Sequence, residues 1–198
     1  MTVAVTLLTG TALRRALPEL ARLRMTIFRE WPYLYDGSLA YEQAYLAGFA
    51  EAQGAVVVAA HDGDHMIGAA TASPMNGHAD AFTAPFRARG YDTAGISYFG
   101  ESVLLEAYRG RGLGHAFFEH REAHARAIGS FTHTAFCGVV RPDNHPMRPA
   151  GYVPLDAFWR KRGYARMEGL VGSFAWKDIG DAGETAKPMQ FWMKAIER

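Results

Sequence analysis

Cysteine is almost absent: the 198-residue chain holds one, Cys137. That excludes an intramolecular disulfide and a thiolate zinc cluster. A dominant sign of charge is also missing, because 21 basic against 20 acidic side chains leave a formal net charge of +1. A dedicated nucleic-acid binder would carry a strong basic excess. No run approaches the roughly 18 consecutive apolar residues needed to span a bilayer. Residues 1–8 have neither the basic start nor the long apolar stretch of a signal peptide. Repeats, low-complexity tracts and Ser/Gly linkers are lacking too. The expectation is one soluble, cytoplasmic domain over 1–198, its residues 177–198 a C-terminal tail that adds a last strand, with no membrane or nucleic-acid partner. A homodimer is left open. The chain is 49% hydrophobic, ample for a core.

Apolar periodicity predicts a mixed α/β domain. A short strand is expected at 3–8. A helix would follow with Pro18 in its first turn and Leu20, Leu23 and Ile27 inward, stopped by Trp31-Pro32. A second helix runs from an N-cap at Ser38 to about Glu51, with Leu39, Leu46 and Phe49 inward. Apolar runs 55–60 and 66–71 flank Asp62-Gly63, a hairpin signal. Residues 74–94 read as a long irregular connection. Then come a central strand over 96–105, a helix over 112–128 with Leu113, Phe117, Ala123 and Ala127 inward, and a strand over 132–140. A short helix over 155–162 and strands near 170–176 and 189–195 complete the chain.

The chemistry concentrates in 102–117, where a strand meets three glycines in five residues and then a helix. Glycines let a backbone approach a ligand closely, and the opening N–H groups of a helix form an anion site at the positive end of its dipole. Arg109 and Arg111 add charged donors. The Walker loop is excluded because no lysine follows. The dinucleotide fingerprint is excluded because Gly110, Gly112 and Gly114 fall two apart, with His115 in place of the last glycine.

This stretch resembles the GNAT (GCN5-related N-acetyltransferase) superfamily, whose pattern [QR]-x-x-G-x-[GA] stands here as Arg109-Gly110-Arg111-Gly112-Leu113-Gly114 after Tyr108. Val140-Arg141-Pro142-Asp143-Asn144 matches the family's strand end and asparagine. The run from Phe158 and Trp159 to Gly163 and Tyr164 matches its closing helix. The resemblance implies a mixed sheet splayed between its fourth and fifth strands, with helices on both faces and acetyl-CoA as cosubstrate in the notch. It further implies that backbone groups of Val103, Leu104 and Leu105 pair with the pantetheine arm. Gly110, Arg111, Gly112, Leu113 and Gly114, with His115, would hold the diphosphate. Asn144 and Trp159 would line the far side, and Arg109 would brace the loop or reach a phosphate. No metal is implied.

Transfer to an alkylamine, protonated at neutral pH, calls for a base or a proton-relaying water. Glu101 is the first candidate, on the central strand among apolar neighbours that would desolvate it. Its alternatives are pairing with an arginine or binding a cationic substrate. Tyr98 is the second candidate. The backbone N–H of Leu104 or its neighbour would polarise the thioester carbonyl. Where the family commonly has a tyrosine to protonate the thiolate, this chain has Trp159, leaving Tyr152, Tyr164 or no dedicated acid. The acceptor is expected to be an amine of a small molecule or peptide. Trp31, Tyr33, Tyr35, Glu30 and Asp36 would suit a cation, and Arg141, His145 and Arg148 a carboxylate. The alternative function is a non-catalytic acyl-CoA-binding sensor or interaction module. His120 and His124 lack the zincin order and read as a solvated face. Cys137 reads as a core residue, with His133 on its face.

Overall fold

The computed structural model describes residues 3–197. Its elements in chain order are β1 (Ala4–Leu8), α1 (Gly10–Phe28), α2 (Leu39–Glu51), β2 (Val56–Asp62), β3 (His65–Pro74), α3 (Asp80–Arg87), β4 (Ile96–Leu104), α4 (Leu113–Ile128), β5 (His133–Val139), α5 (Asp156–Lys161), β6 (Ala165–Trp176) and β7 (Thr185–Ala195). The seven strands form one sheet in the order β1-β2-β3-β4-β5-β7-β6. All pairs are antiparallel except β4 with β5. Among these residues no helix is long and apolar enough to cross a membrane.

Helices cover both faces of the sheet, which is why β2 reads as a continuous apolar run. Val57 and Ala59 pack under α1 and α2 with Leu20, Leu23 and Leu46. Val58 and Ala60 pack under α4 with Leu113 and Phe117. Further along, α3 sits through Phe86 on Ile96, Tyr98 and Phe191, while Phe158 and Trp159 of α5 pack opposite against Phe136 and Trp192.

Four expectations about elements need correction. First, α1 begins at Gly10 rather than near Pro18, which lies in the helix interior. Proline there leaves the Arg14 carbonyl without its i+4 donor, and both residues are exposed, so water serves instead. Second, the 74–94 connection holds a helix, α3. Third, Ala123 and Ala127 are exposed and Leu39 is 38% exposed, while Arg121, Glu122 and Ala125 of α4 and Glu42 of α2 are buried. Fourth, the tail strand β7 is inserted between β5 and β6 with Phe191 and Trp192 buried, so it belongs to the sheet's interior. The Ser38 cap is as expected, its Oγ accepting from the Tyr41 N–H at 3.3 Å.

Candidate active site

The parallel pairing of β4 with β5 covers Ile96–His133, Ser97–Thr134 and Tyr98–Ala135 and then ends, although both strands continue. Past Tyr98 the strands part, and a cleft of about 910 Å³ opens between them. A bulge marks the departure: two residues of β4, Gly100 and Glu101, stand opposite Thr71 of β3. An extra residue of this kind bends a strand and re-aims its side chains. Arg121 of α4 fills the fork. Its guanidinium donates to the carbonyls of Thr71 and Glu101 at 3.2 and 3.3 Å and to Ser102 Oγ at 2.9 Å. It lies 4.3 Å from the Phe99 ring centroid. Burial lowers its pKa to about 10.

Backbone parity decides which β4 groups face the gap. Leu105 donates to Ile67 of the β3 side at 3.0 Å, so the peptide groups of Val103 and Leu105 turn to β3 and those of Ser102 and Leu104 turn to the cleft. Of the three residues expected to offer backbone pairing, only Leu104 is so placed, and its carbonyl accepts from Arg109 Nε at 3.2 Å. The glycine turn then delivers the chain to α4. Gly112, the N-cap, has φ +83°, and a Cβ built there would meet nothing within 4 Å. The first amide of the helix with an internal acceptor is that of His115, on the Gly112 carbonyl at 3.0 Å. The earlier amides therefore point out of the helix end.

Gly110, Gly112, Gly114, His115, Arg109 and Trp159 line the cleft. The Arg111 side chain does not. It folds onto the Tyr108 ring and donates to the Ala107 carbonyl at 2.8 Å. Leu113 is core, and neither residue is part of the lining. Asn144 is exposed in the loop after β5 and lies outside the lining. Trp159 stacks on Phe136 and Trp192 at 5.0 and 5.1 Å between centroids. A Cβ on Gly138 would come within 3.0 Å of its ring, so the glycine is what admits the indole.

Glu101 lies at the cleft wall, 6% exposed. Its Oε2 pairs with Arg24 Nη1 at 2.6 Å, and Arg24 Nε pairs in turn with Glu42, which is fully buried. The guanidinium is held between the rings of Phe28 and Tyr45, 4.9 and 4.7 Å from their centroids. Burial works against its charge, but Glu101, Tyr45 and Glu42 outweigh that and hold it above its ordinary value. The outer oxygens, Oε1 of Glu101 and Oε1 of Glu42, have no hydrogen-bond partner among the described residues. Sequence reasoning missed Arg24, Glu42 and Arg121. The available signal was a charge on an inward helical stripe: Arg24 follows Leu20, Arg121 follows Leu113 and Phe117, and Glu42 precedes Leu46, all at spacings of four.

The tyrosines separate clearly. Tyr98 is buried beside Cys137, its hydroxyl 3.0 Å from Sγ, and burial raises its pKa well above the ordinary range. Tyr164 is buried on Thr134 and Glu122, at 2.9 and 3.2 Å. Neither lines the cleft, whereas Tyr152 does. Cys137 reaches the lining, but burial pushes its thiol up to about 12.

On the acceptor side Glu30, Trp31 and Tyr33 line the cleft, while Tyr35 and Asp36 do not. Asp36 is engaged by Arg29 and Lys177 at 2.9 and 3.0 Å. Arg141 is wholly occupied, chelating Asp178 at 2.6 and 2.9 Å and holding the carbonyls of Pro32 and Tyr33. Arg148 pairs with Asp143, and Arg109 with Glu30 at 2.6 Å. Among the described residues no group of three or more His, Cys, Asp or Glu could hold a metal ion.

Residues 17–164 match the model of the acetyltransferase (GNAT) family. The chain belongs to this family. No curated protein matches it. Three solved structures illustrate the likeness of this GNAT chain to others. An acetyltransferase of the GNAT family from Staphylococcus aureus Mu50 is 10% identical, with TM-score 0.60 over 98% of this chain and 100% of that one. The ribosomal-protein-alanine N-acetyltransferase from Brucella melitensis is 15% identical, with TM-score 0.60 over 96% and 99%. Arabidopsis thaliana NAA60, in complex with a bisubstrate analogue, is 15% identical, with TM-score 0.60 over 99% of both. At such identities the shared property is the fold.

Proposed function

We propose that the protein is an acetyl-CoA-dependent N-acetyltransferase acting on a primary amine of a small molecule or peptide in a ternary complex. The observation that carries this reading is the open edge of β4, followed after the turn at 105–112 by the bare amides that begin α4. An extended amide-bearing arm can add to that edge as a strand would, and a diphosphate fits the helix end. The space left at Gly112 suits both. Acetyl-CoA, when bound, supplies the acetyl thioester. Over the cycle the amine nitrogen gains the acetyl carbon and loses two protons, the sulfur gains one, and one is released.

The residues have separate tasks. Leu104 and Ser102 present backbone N–H groups to the gap, where a developing oxyanion would need them. The Glu101 carboxylate, with one oxygen uncommitted, receives the amine's proton directly or through a water. Of the two tyrosines that line the cleft, Tyr33 and Tyr152, we assign Tyr152 to the leaving thiolate, the part that Trp159 cannot take. Because β6 and β7, both beyond the family match, complete the same sheet, we read 1–198 as one catalytic domain working in the cytoplasm. The alternative, a non-catalytic acyl-CoA-binding module, draws on Trp159. Thiol release from acetyl-CoA over a panel of primary amines tests both. Turnover that falls about 10²-fold or more in Glu101→Gln supports the enzyme. Tight acetyl-CoA binding with no turnover of any amine supports the module.

A further inference from the structure

Three ionisable groups sit in the dry wall of the cleft, and their charges do not cancel. Glu42 is fully buried, Glu101 is 6% and Arg24 8% exposed, so two carboxylates share one guanidinium. Each carboxylate keeps one oxygen without a partner among the described residues. The other groups facing the triad are uncharged apart from Arg121, which lies within Coulombic reach of Glu101. The uncharged ones are Tyr35 after α1, whose hydroxyl faces Glu42, Tyr45 on α2, Tyr33 after α1, and Thr71 on β3, whose Oγ1 accepts from the Glu101 N–H at 3.2 Å. Arg121 on α4 reaches the Glu101 backbone carbonyl and forms no ion pair with its carboxylate. A buried, unbalanced negative charge is unfavourable unless a proton or a cation joins it. The cations elsewhere around the cleft, Arg109, Arg141, Arg148 and Arg166, are paired with Glu30, Asp178, Asp143 and, at 3.9 Å, Glu168.

We propose that the acceptor enters as an ammonium cation carrying no carboxylate of its own, and that Glu42, though outside the cleft lining, is the positioning residue that supplies its counter-charge. Glu42 takes the Nε edge of Arg24, so the guanidinium does not neutralise Glu101. The excess charge then rests on Glu101, at the only member of the three that lines the cleft among the described residues. The walls beside it, Phe28, Trp31 and Tyr33, suit an apolar or aromatic body on the amine. This rests on the acetyltransferase reading above and narrows its acceptor.

The test uses the full chain, acetyl-CoA and three probes: phenethylamine, phenylalanine (which adds a carboxylate) and 2-phenylethanol as a neutral competitor. The expected result is acetylation of phenethylamine with kcat/KM at least about tenfold above that of phenylalanine, and weak inhibition by 2-phenylethanol. Glu42→Gln should raise KM for phenethylamine about tenfold or more, leave KM for acetyl-CoA unchanged, and lower Tm by no more than about 3 °C. Glu42→Asp should restore most of the loss. The proposal is overturned if phenylalanine is used as well as phenethylamine, or if phenethylamine is ignored by a protein that binds acetyl-CoA. It is equally overturned if Glu42→Gln loses Tm and both KM values together, as a merely structural ion pair would. Failure to bind acetyl-CoA in calorimetry would instead bring down the acetyltransferase reading itself.

Discussion

Replacing Arg24 with methionine isolates the electrostatic core of the site. Methionine keeps an unbranched stem between the rings of Phe28 and Tyr45 and removes the only cation shared by Glu42 and Glu101. Both carboxylates would then stand in a dry environment, each at least nine-tenths buried. Removing one partner of a buried ion pair costs about 3–5 kcal/mol. For a chain of 198 residues each kcal/mol moves Tm by about 2–4 °C, so the fall should lie between roughly 6 and 20 °C. Urea unfolding at neutral pH, followed by circular dichroism, measures the difference directly. The sign of the pH dependence follows from the charges. Acid supplies the protons that the two stranded carboxylates need, so the gap between variant and wild type should narrow as pH falls. A loss below about 1 kcal/mol, or a gap that is the same in acid and at neutrality, would refute the placement of the triad.

Other predictions probe separate parts of the molecule. Gly112→Val forces a branched residue to φ +83° and should cost about 1–2 kcal/mol of stability. Because its Cβ meets no protein atom, the larger effect should be loss of acetyl-CoA affinity in calorimetry, and an unchanged Kd would count against the helix-end site. Cys137, its thiol pushed up to about 12 by burial, should resist iodoacetamide in the folded protein near pH 8 and react fully in urea, as read by mass spectrometry. His78, held down to about 4 by burial, binds its proton less readily folded than unfolded. Stability should therefore fall as pH drops from about 6.5 towards 4, by up to about 1.4 kcal/mol per unit, a slope that His78→Asn removes. Asp178→Asn breaks the ion pair that orients Arg141, whose guanidinium also holds the Tyr33 carbonyl, and should raise KM for the amine while sparing KM for acetyl-CoA.

Much of the fold was legible because local rules and tertiary packing agree. The hairpin follows from Asp62-Gly63, the α2 start from Ser38, and the β4–turn–α4 unit from its glycines. Where tertiary context intervened, local rules misled. Pro18 looked like a helix start because a proline has no N–H to give, but on a solvent-facing turn the orphaned carbonyl is hydrated and α1 continues past it. β7 looked like an appendage because it comes last, yet order along the chain does not determine order in a sheet. Its strand pairs with both β5 and β6.

The site divides along the same line. The cofactor end is contiguous in sequence: a strand edge, three glycines and a helix start, each recognisable from backbone chemistry alone. The proposed acceptor end is assembled from Arg24, Glu42 and Glu101, which lie on three elements and meet only in space. Of these, only Glu101 sits on the recognisable segment. A charged side chain on an apolar helical stripe is the one trace such an assembly leaves in sequence, and here it occurs on α1, α2 and α4 alike. On α4 the stripe's Arg121 is satisfied by carbonyls and a hydroxyl, so it supports the bulge. On α2 the stripe's Glu42 keeps one oxygen without a donor among the described residues, and a buried acceptor without a donor is unfavourable unless something else meets it. The same sequence trace thus marks a brace on α4 and, on our proposal, a counter-charge on α2, and the difference lies in whether the hydrogen-bond valence closes within the protein.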